Sequence, residues 1–179
     1  MREMVLGQDA NFTLEGFIKR YNSDLANDFG NLLNRVSGLM GKYFDSVVPA
    51  AGELQTEDHK IREAAEVLGK KVNELIARLR INEAVEEIVQ LIRQINKYVE
   101  HQAPWKVAKT DLASAGRILY TATEALRISA LLLVPVMPGK TKTVLEILGS
   151  QGTELAWGGL KPGTKLLTHE ALFPRIEAA

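Results

Sequence analysis

Between residues 85 and 99 six apolar side chains, Val85, Ile88, Leu91, Ile92, Ile95 and Val99, follow one another in steps of three, one and four. Such steps gather all six on one side of an α-helix, whereas a strand would scatter them over both faces. Pro104 then ends the run, because proline removes a backbone donor and restricts the residue before it. The same period governs most of the chain. Over residues 14–43, with Thr13 as cap, it runs through Leu14, Ile18, Tyr21, Leu25, Leu32, Val36 and Leu39, widened by Phe29, Leu33 and Met40. Over residues 56–78 it uses Ile61, Ala65, Leu68, Val72, Leu75 and Ile76. A further helix over 111–134 turns Leu112, Ile118, Leu119, Leu126 and Leu133 inward, and Pro138 fits the first turn of a short one reaching residue 148. Between the first two lies SVVPAAGELQ, a loop marked by Pro49 and Gly52. No segment alternates with the period of a strand. The expected fold is all-α, a bundle of about five helices. Residues 1–12 read as a connecting segment, 13–149 as the bundle, and the glycine-rich stretch 150–179 as an irregular tail folding back over it.

The 179 residues carry 22 Lys plus Arg against 22 Asp plus Glu, a net charge of zero. That excludes indiscriminate nucleic-acid binding, which needs a strongly basic surface, but leaves room for reading a few exposed bases. There is no cysteine, so neither a disulfide nor a thiolate metal site can form. No signal-peptide layout opens the chain, and the longest apolar run, broken by Pro135, is too short to span a bilayer. A cytoplasmic, monomeric protein away from membranes is expected. His59, His101 and His169 are scattered, without partners at metal-ligand spacing, and read as surface histidines. Glu63, Glu66, Glu86 and Glu87 read as solvated helix faces. No phosphate loop or nucleophile elbow is present. On its own chemistry the chain is a helical binding or interaction module, with no catalytic residue and no cofactor.

Two polar features go further. At 100° per residue Asn27, Asn31, Asn34 and Arg35 share one stripe of the first helix, with Arg20 and Asp24 extending it. Asparagine is a poor helix former. The stripe is either a solvated face bonded to a neighbouring helix or a row of amides offered to a polar ligand such as a nucleobase edge. Pro104-Trp105 is either a core tryptophan between helices or an aromatic platform held at a helix end.

RYNSDLANDFGNLLNRV, EHQAPWKVAK, LLLVPVMP and LFPRIE, in this order and spacing, resemble the anticodon-binding domain of methionyl-tRNA synthetase. The resemblance covers nearly the whole chain. Its specific elements are N-x-x-x-N-x-x-x-R and Q-A-P-W, a combination that sets it apart from the related class I enzymes for leucine, isoleucine, valine and cysteine. It implies that Trp105 stacks on an anticodon base and that Pro104 shapes the turn beside it. It implies that Asn27, Asn31 and Arg35 face the anticodon, with Glu100 at the acidic position before the motif. Asn34 shares the stripe but lies outside the motif, and Arg175 in LFPRIE takes a structural role. The implied partners are initiator and elongator methionine tRNAs with a CAU anticodon, and the catalytic domain of a parent ligase, which would also hold ATP. HIGH-like and KMSKS-like motifs are missing from this sequence, so the chain is expected to be an engineered or naturally split fragment without charging activity. The alternatives are a helical protein-interaction module or the anticodon-binding domain of another class I synthetase.

Overall fold

The computed structural model describes residues 4–9 and 11–177; parts of the expected connecting segment (1–3 and 10) and of the tail (178–179) lie outside them. In chain order the elements are α1 (Leu14–Arg20), a π-helical stretch (Tyr21–Gly30), α2 (Asn31–Phe44), α3 (Thr56–Ala77), α4 (Ile81–Gln102), the one-turn α5 (Pro104–Val107), α6 (Leu112–Leu132) and α7 (Pro138–Ile147). Because α1, the π stretch and α2 follow without a break, they form one rod, and four longer helices and a single turn complete the bundle. Among the described residues no sheet forms; the one strand-like contact is an isolated bridge between Val47 and Lys165.

Local chemistry places the helix starts. Thr13 accepts the Gly16 amide at 3.1 Å, and Asp111 accepts the Ser114 amide at 3.0 Å, each satisfying a donor that a first turn leaves open. At the start of α3 the Gln55 amide donates to Asp58 Oδ2 at 2.7 Å. Asp58 is also fully buried and accepts from Tyr98 Oη and the Arg117 guanidinium. One carboxylate therefore joins the start of α3, the end of α4 and the start of α6. Burial raises the Tyr98 hydroxyl pKa, keeping it a neutral donor.

The core is built around α6, which packs on α2, α3, α4, α5 and α7. Every residue from 115 to 130 is buried. The expected α4 stripe is buried throughout. Three expectations fail at helix ends: Leu14, Ile76 and Leu112 are 66%, 46% and 48% exposed. Each sits in a terminal turn that overhangs its neighbours, where period alone does not ensure a partner.

The tail is irregular and packs closely. Leu160, Leu166 and Phe173 are core residues. Glu124 and Arg127, both buried on α6, form a charge pair that receives the tail. Glu124 Oε1 accepts from the Gly158 and Gly159 amides at 2.8 and 2.9 Å, and Oε2 accepts from Leu160 at 2.9 Å. Arg127 returns two bonds to Glu124 at 2.9 and 2.7 Å. It donates two more to the Glu154 and Ala156 carbonyls, at 2.8 Å each. Gly159 is required here, because a Cβ would collide with the Arg127 guanidinium. Further on, the Asn22 side chain forms a two-way amide clamp with the backbone of Ile176, at 2.8 and 2.9 Å.

Candidate nucleic-acid interface

α4 ends at Gln102, as Pro104 requires, but the chain does not leave in the extended conformation usual before proline. Ala103 adopts φ 43° and ψ 58°, the left-handed region. For alanine this costs about 1–2 kcal/mol. It turns the chain sharply enough for α5 to start at Pro104, which is buried. The α5 turn is held by Lys106 and Val107 amides donating to the Ala103 carbonyl at 2.8 and 3.2 Å. The turn sets Trp105 against α2.

Trp105 is neither of the extremes considered from its sequence. It is half-buried and packs on the edge of the core. The Arg35 guanidinium lies over the indole, 4.7 Å from the ring centroid. Glu100 reaches the same guanidinium at 3.5 Å, and the Tyr43 hydroxyl donates to the Trp105 carbonyl at 3.4 Å. The Glu100 carboxylate is 73% exposed and the Arg35 side chain 24%. An ion pair this open to water contributes about 0–1 kcal/mol, so its effect is to orient Arg35 rather than to hold the fold. Arg35, Glu100, Pro104 and Trp105 are thus brought together from α2, α4 and α5.

Asn31 stands one α-helical turn before Arg35 on α2 and is exposed, as is Asn34. Asn27 needs a correction. It lies inside the π stretch, where bonds close from i to i+5, so the 100° step does not apply across it. Four residues are slightly more than an α turn and slightly less than a π turn. Asn27 therefore stays on the Asn31 side of the rod, and it too is exposed. Asp24 does not extend the stripe. It is buried and, with Asp28, accepts from Arg93 of α4 at 3.0 and 2.7 Å. This ionic seam, with Asn96 donating to the Asp28 carbonyl at 2.9 Å, holds the π stretch to α4. No sequence signal distinguished Asp24 from the stripe, since its partner is some seventy residues away.

The arrangement offers a π surface, a cation, an exposed carboxylate and exposed amides. These can stack on an unpaired base and hydrogen-bond its edge. His59 and His101 are exposed, whereas His169 is half-buried and sits 3.0 Å from Ser37 Oγ. Among the described residues no group of His, Asp or Glu is arranged to hold a metal ion, and no helix is long and apolar enough to cross a membrane.

Comparison with known proteins follows the same residues. Positions 48–179 match the family described as the anticodon binding domain of methionyl tRNA ligase, and positions 1–37 match tRNA synthetases class I (M). Methionine–tRNA ligase of Caldanaerobacter subterraneus subsp. tengcongensis is 38% identical over 99% of this chain and 29% of its own length. That of Deinococcus radiodurans is 39% identical over 99% of this chain and 27% of its own. Mycobacterium tuberculosis methionyl-tRNA synthetase in its free state superposes with a TM-score of 0.93 and 32% identity, covering 99% of this chain and 38% of that one. The same enzyme in complex with methionyl-adenylate gives 0.91 and 34%, covering 97% and 36%. The chain thus spans less than two fifths of the relatives it matches. With a helical bundle, a Q-A-P-W turn and a family match over most of its length, this chain belongs to the anticodon-binding domain family of methionyl-tRNA ligases.

Proposed function

We propose that this chain reads the unpaired anticodon of methionine tRNAs, initiator and elongator, through the cluster around Trp105. The observation that carries the reading is the Arg35 guanidinium seated 4.7 Å over the Trp105 ring, with Asn31 one turn away. Stacking surface and edge-reading groups are side by side, which is what recognition of splayed loop bases needs. Glu100 steers Arg35, Pro104 fixes the turn, and Asn27 extends the polar row. Because Arg35 already covers part of the indole, a CAU base joins a stack that the protein has begun. Neutral net charge suits this mode, since base edges rather than phosphates supply selectivity. The partner within the parent is a catalytic domain joined through the region of residues 1–12, and that domain handles ATP and methionine. The reading calls for no cofactor in this chain and places its work in cytoplasmic protein synthesis.

The test is titration of the chain with an anticodon stem-loop carrying CAU, against one with an altered anticodon. CAU should bind more tightly. Asn31→Ala and Arg35→Ala should narrow the difference. Equal affinity of the two loops for the unmodified chain refutes the reading and favours a protein-interaction module.

A further inference from the structure

Large apolar side chains stand in water at one end of the bundle, and the ion pairs fix which end it is. Arg93 of α4 meets Asp24 and Asp28, and Glu100 meets Arg35, so α4 and the first rod run parallel. Asp58, near the start of α3, accepts from Tyr98 near the end of α4 and from Arg117 near the start of α6. α3 and α6 therefore run the other way. The start of the rod, the end of α3, the start of α4 and the end of α6 share the end opposite Trp105. Phe12, Leu14, Phe17, Ile76, Leu79 and Val134 lie there and are all exposed. Single exposed apolar residues are ordinary, but a gathering of them marks a surface that another body covers.

α1 lacks cover of its own. Helices this short are marginal in water and rest on the packing of one face. α1 has seven residues, a Thr13 cap and no buried side chain. An aromatic row starts at Tyr21, which packs on the core, and runs outward through Phe17 to Phe12, with ring centroids 6.4 and 6.0 Å apart. Its outer two rings end in solvent.

Leu79 is the sharper sign. At the end of α3 the Arg80 amide donates to the Leu75 carbonyl and the Leu79 amide to the Ile76 carbonyl, both at 2.9 Å. This is the paired hydrogen bond of a Schellman ending, whose left-handed position glycine usually fills. Leucine fills it here at φ 59°, against the crowding of its Cβ, and it is 64% exposed. Within this chain no burial offsets that crowding.

We propose that this end is the docking face for the synthetase body of the parent, which lays an apolar surface over Phe17 and Leu79. The family match says what covers it. Residues 1–37 match the class I (M) synthetase model and residues 48–179 the anticodon binding domain. The rod that carries α1 is thus shared with the synthetase unit, and the bare end is continuous with it. This chain covers 29% of the Caldanaerobacter ligase, so most of that protein lies outside the matched part. The inference takes the parent body from the proposed function and is independent of the anticodon cluster at the other end.

The experiment places this chain in the Caldanaerobacter subterraneus subsp. tengcongensis ligase, in exchange for the region it matches, and follows amide hydrogen exchange there and in the free chain. Docking should slow the amides of α1 and of Leu79 by about tenfold or more while those at the centre of α4 keep their rates. Phe17→Asp combined with Leu79→Gly should restore the faster rates, and equal rates in the two settings overturn the proposal. Leu79→Gly should leave the melting temperature of the free chain unchanged or higher, because glycine relieves the left-handed position. A fall would give Leu79 a role inside this fold and overturn the proposal; this melt decides if the exchanged ligase does not fold. Self-association of the free chain, abolished by Phe17→Asp in sedimentation, would assign the face to a second copy and overturn it as well. Both variants should bind the CAU stem-loop as the unmodified chain does, and a tenfold loss would tie this end to RNA instead. If the unmodified chain does not distinguish the two anticodons, the anticodon reading falls, and the exchange rates still decide the docking face.

Discussion

Removing the Glu124 carboxylate is the sharpest test of how the tail is held. Glu124→Ala takes the acceptor from the Gly158, Gly159 and Leu160 amides and from two Arg127 nitrogens. The Arg127 side chain is 1% exposed, so its charge is left buried with only the Glu154 and Ala156 carbonyls. Breaking a buried pair in this way costs about 3–5 kcal/mol, out of roughly 5–15 kcal/mol for a whole domain. Glu124→Gln keeps the shape, but its NH₂ confronts donors, so it should fall between Ala and the parent. Adding Arg127→Met to Glu124→Ala should cost less than the sum of the two single changes, because it removes the stranded cation. The assay is urea unfolding followed by fluorescence in a Trp105→Phe background, where Trp157, within the stapled segment, is the remaining indole. A Glu124→Ala loss below about 1 kcal/mol, the range of an ordinary surface contact, would refute the staple. So would strict additivity of the two changes.

Trp105→Ala should cost less stability than the ~3–5 kcal/mol of a fully buried tryptophan, because the ring is half-buried. It should also weaken the CAU loop by ~1–3 kcal/mol, the worth of one stacked base; a large stability loss with RNA binding unchanged would return it to the core. Asp111 makes a pH prediction. Its carboxyl is held below 3.8 by the Ser114 hydroxyl and then the Ser114 amide. A depressed folded-state pKa means that the α6 cap contributes fully above the unfolded value and fades as pH falls through the lower folded one. Acid melting of Asp111→Asn should therefore be flatter than that of the parent below about pH 4, and parallel curves would dismiss the cap's role.

Which parts of this fold could be read in advance follows from how local their causes are. The α4 stripe was legible because six apolar residues share one period and one partner surface. α6 was legible only in part. Its Leu and Ile marked a face, but Arg117, Glu124 and Arg127 are buried as well, and their partners come from residues 58 and 154–160. A charge looks solvated until its distant counter-charge is known. The π stretch was invisible for a related reason. Leu25 and Leu32 are seven apart whether the turns between them are α or π, and the residue that the widened stretch bonds through Asp24 and Asp28, Arg93, lies across the bundle. At the candidate interface the motif brought forward residues that the fold gathers from α2, α4 and α5, while the Arg35–Trp105 stack and the left-handed Ala103 became visible only in three dimensions.

The Asn22–Ile176 clamp joins the end of the tail, among the described residues, to the start of the π stretch. From there the helical path to Arg35 runs thirteen residues, 35 minus 22, or at most ~20 Å at 1.5 Å per residue. Between the two points Phe29, Leu32 and Leu33 are buried in the core and Arg93 holds Asp24 and Asp28, so clamp and reading end sit on one rigid beam. The stretch that fastens the tail and the stretch that carries Arg35 therefore keep one fixed spacing, so the tail's anchorage and the alignment of the reading end are a single property of the rod.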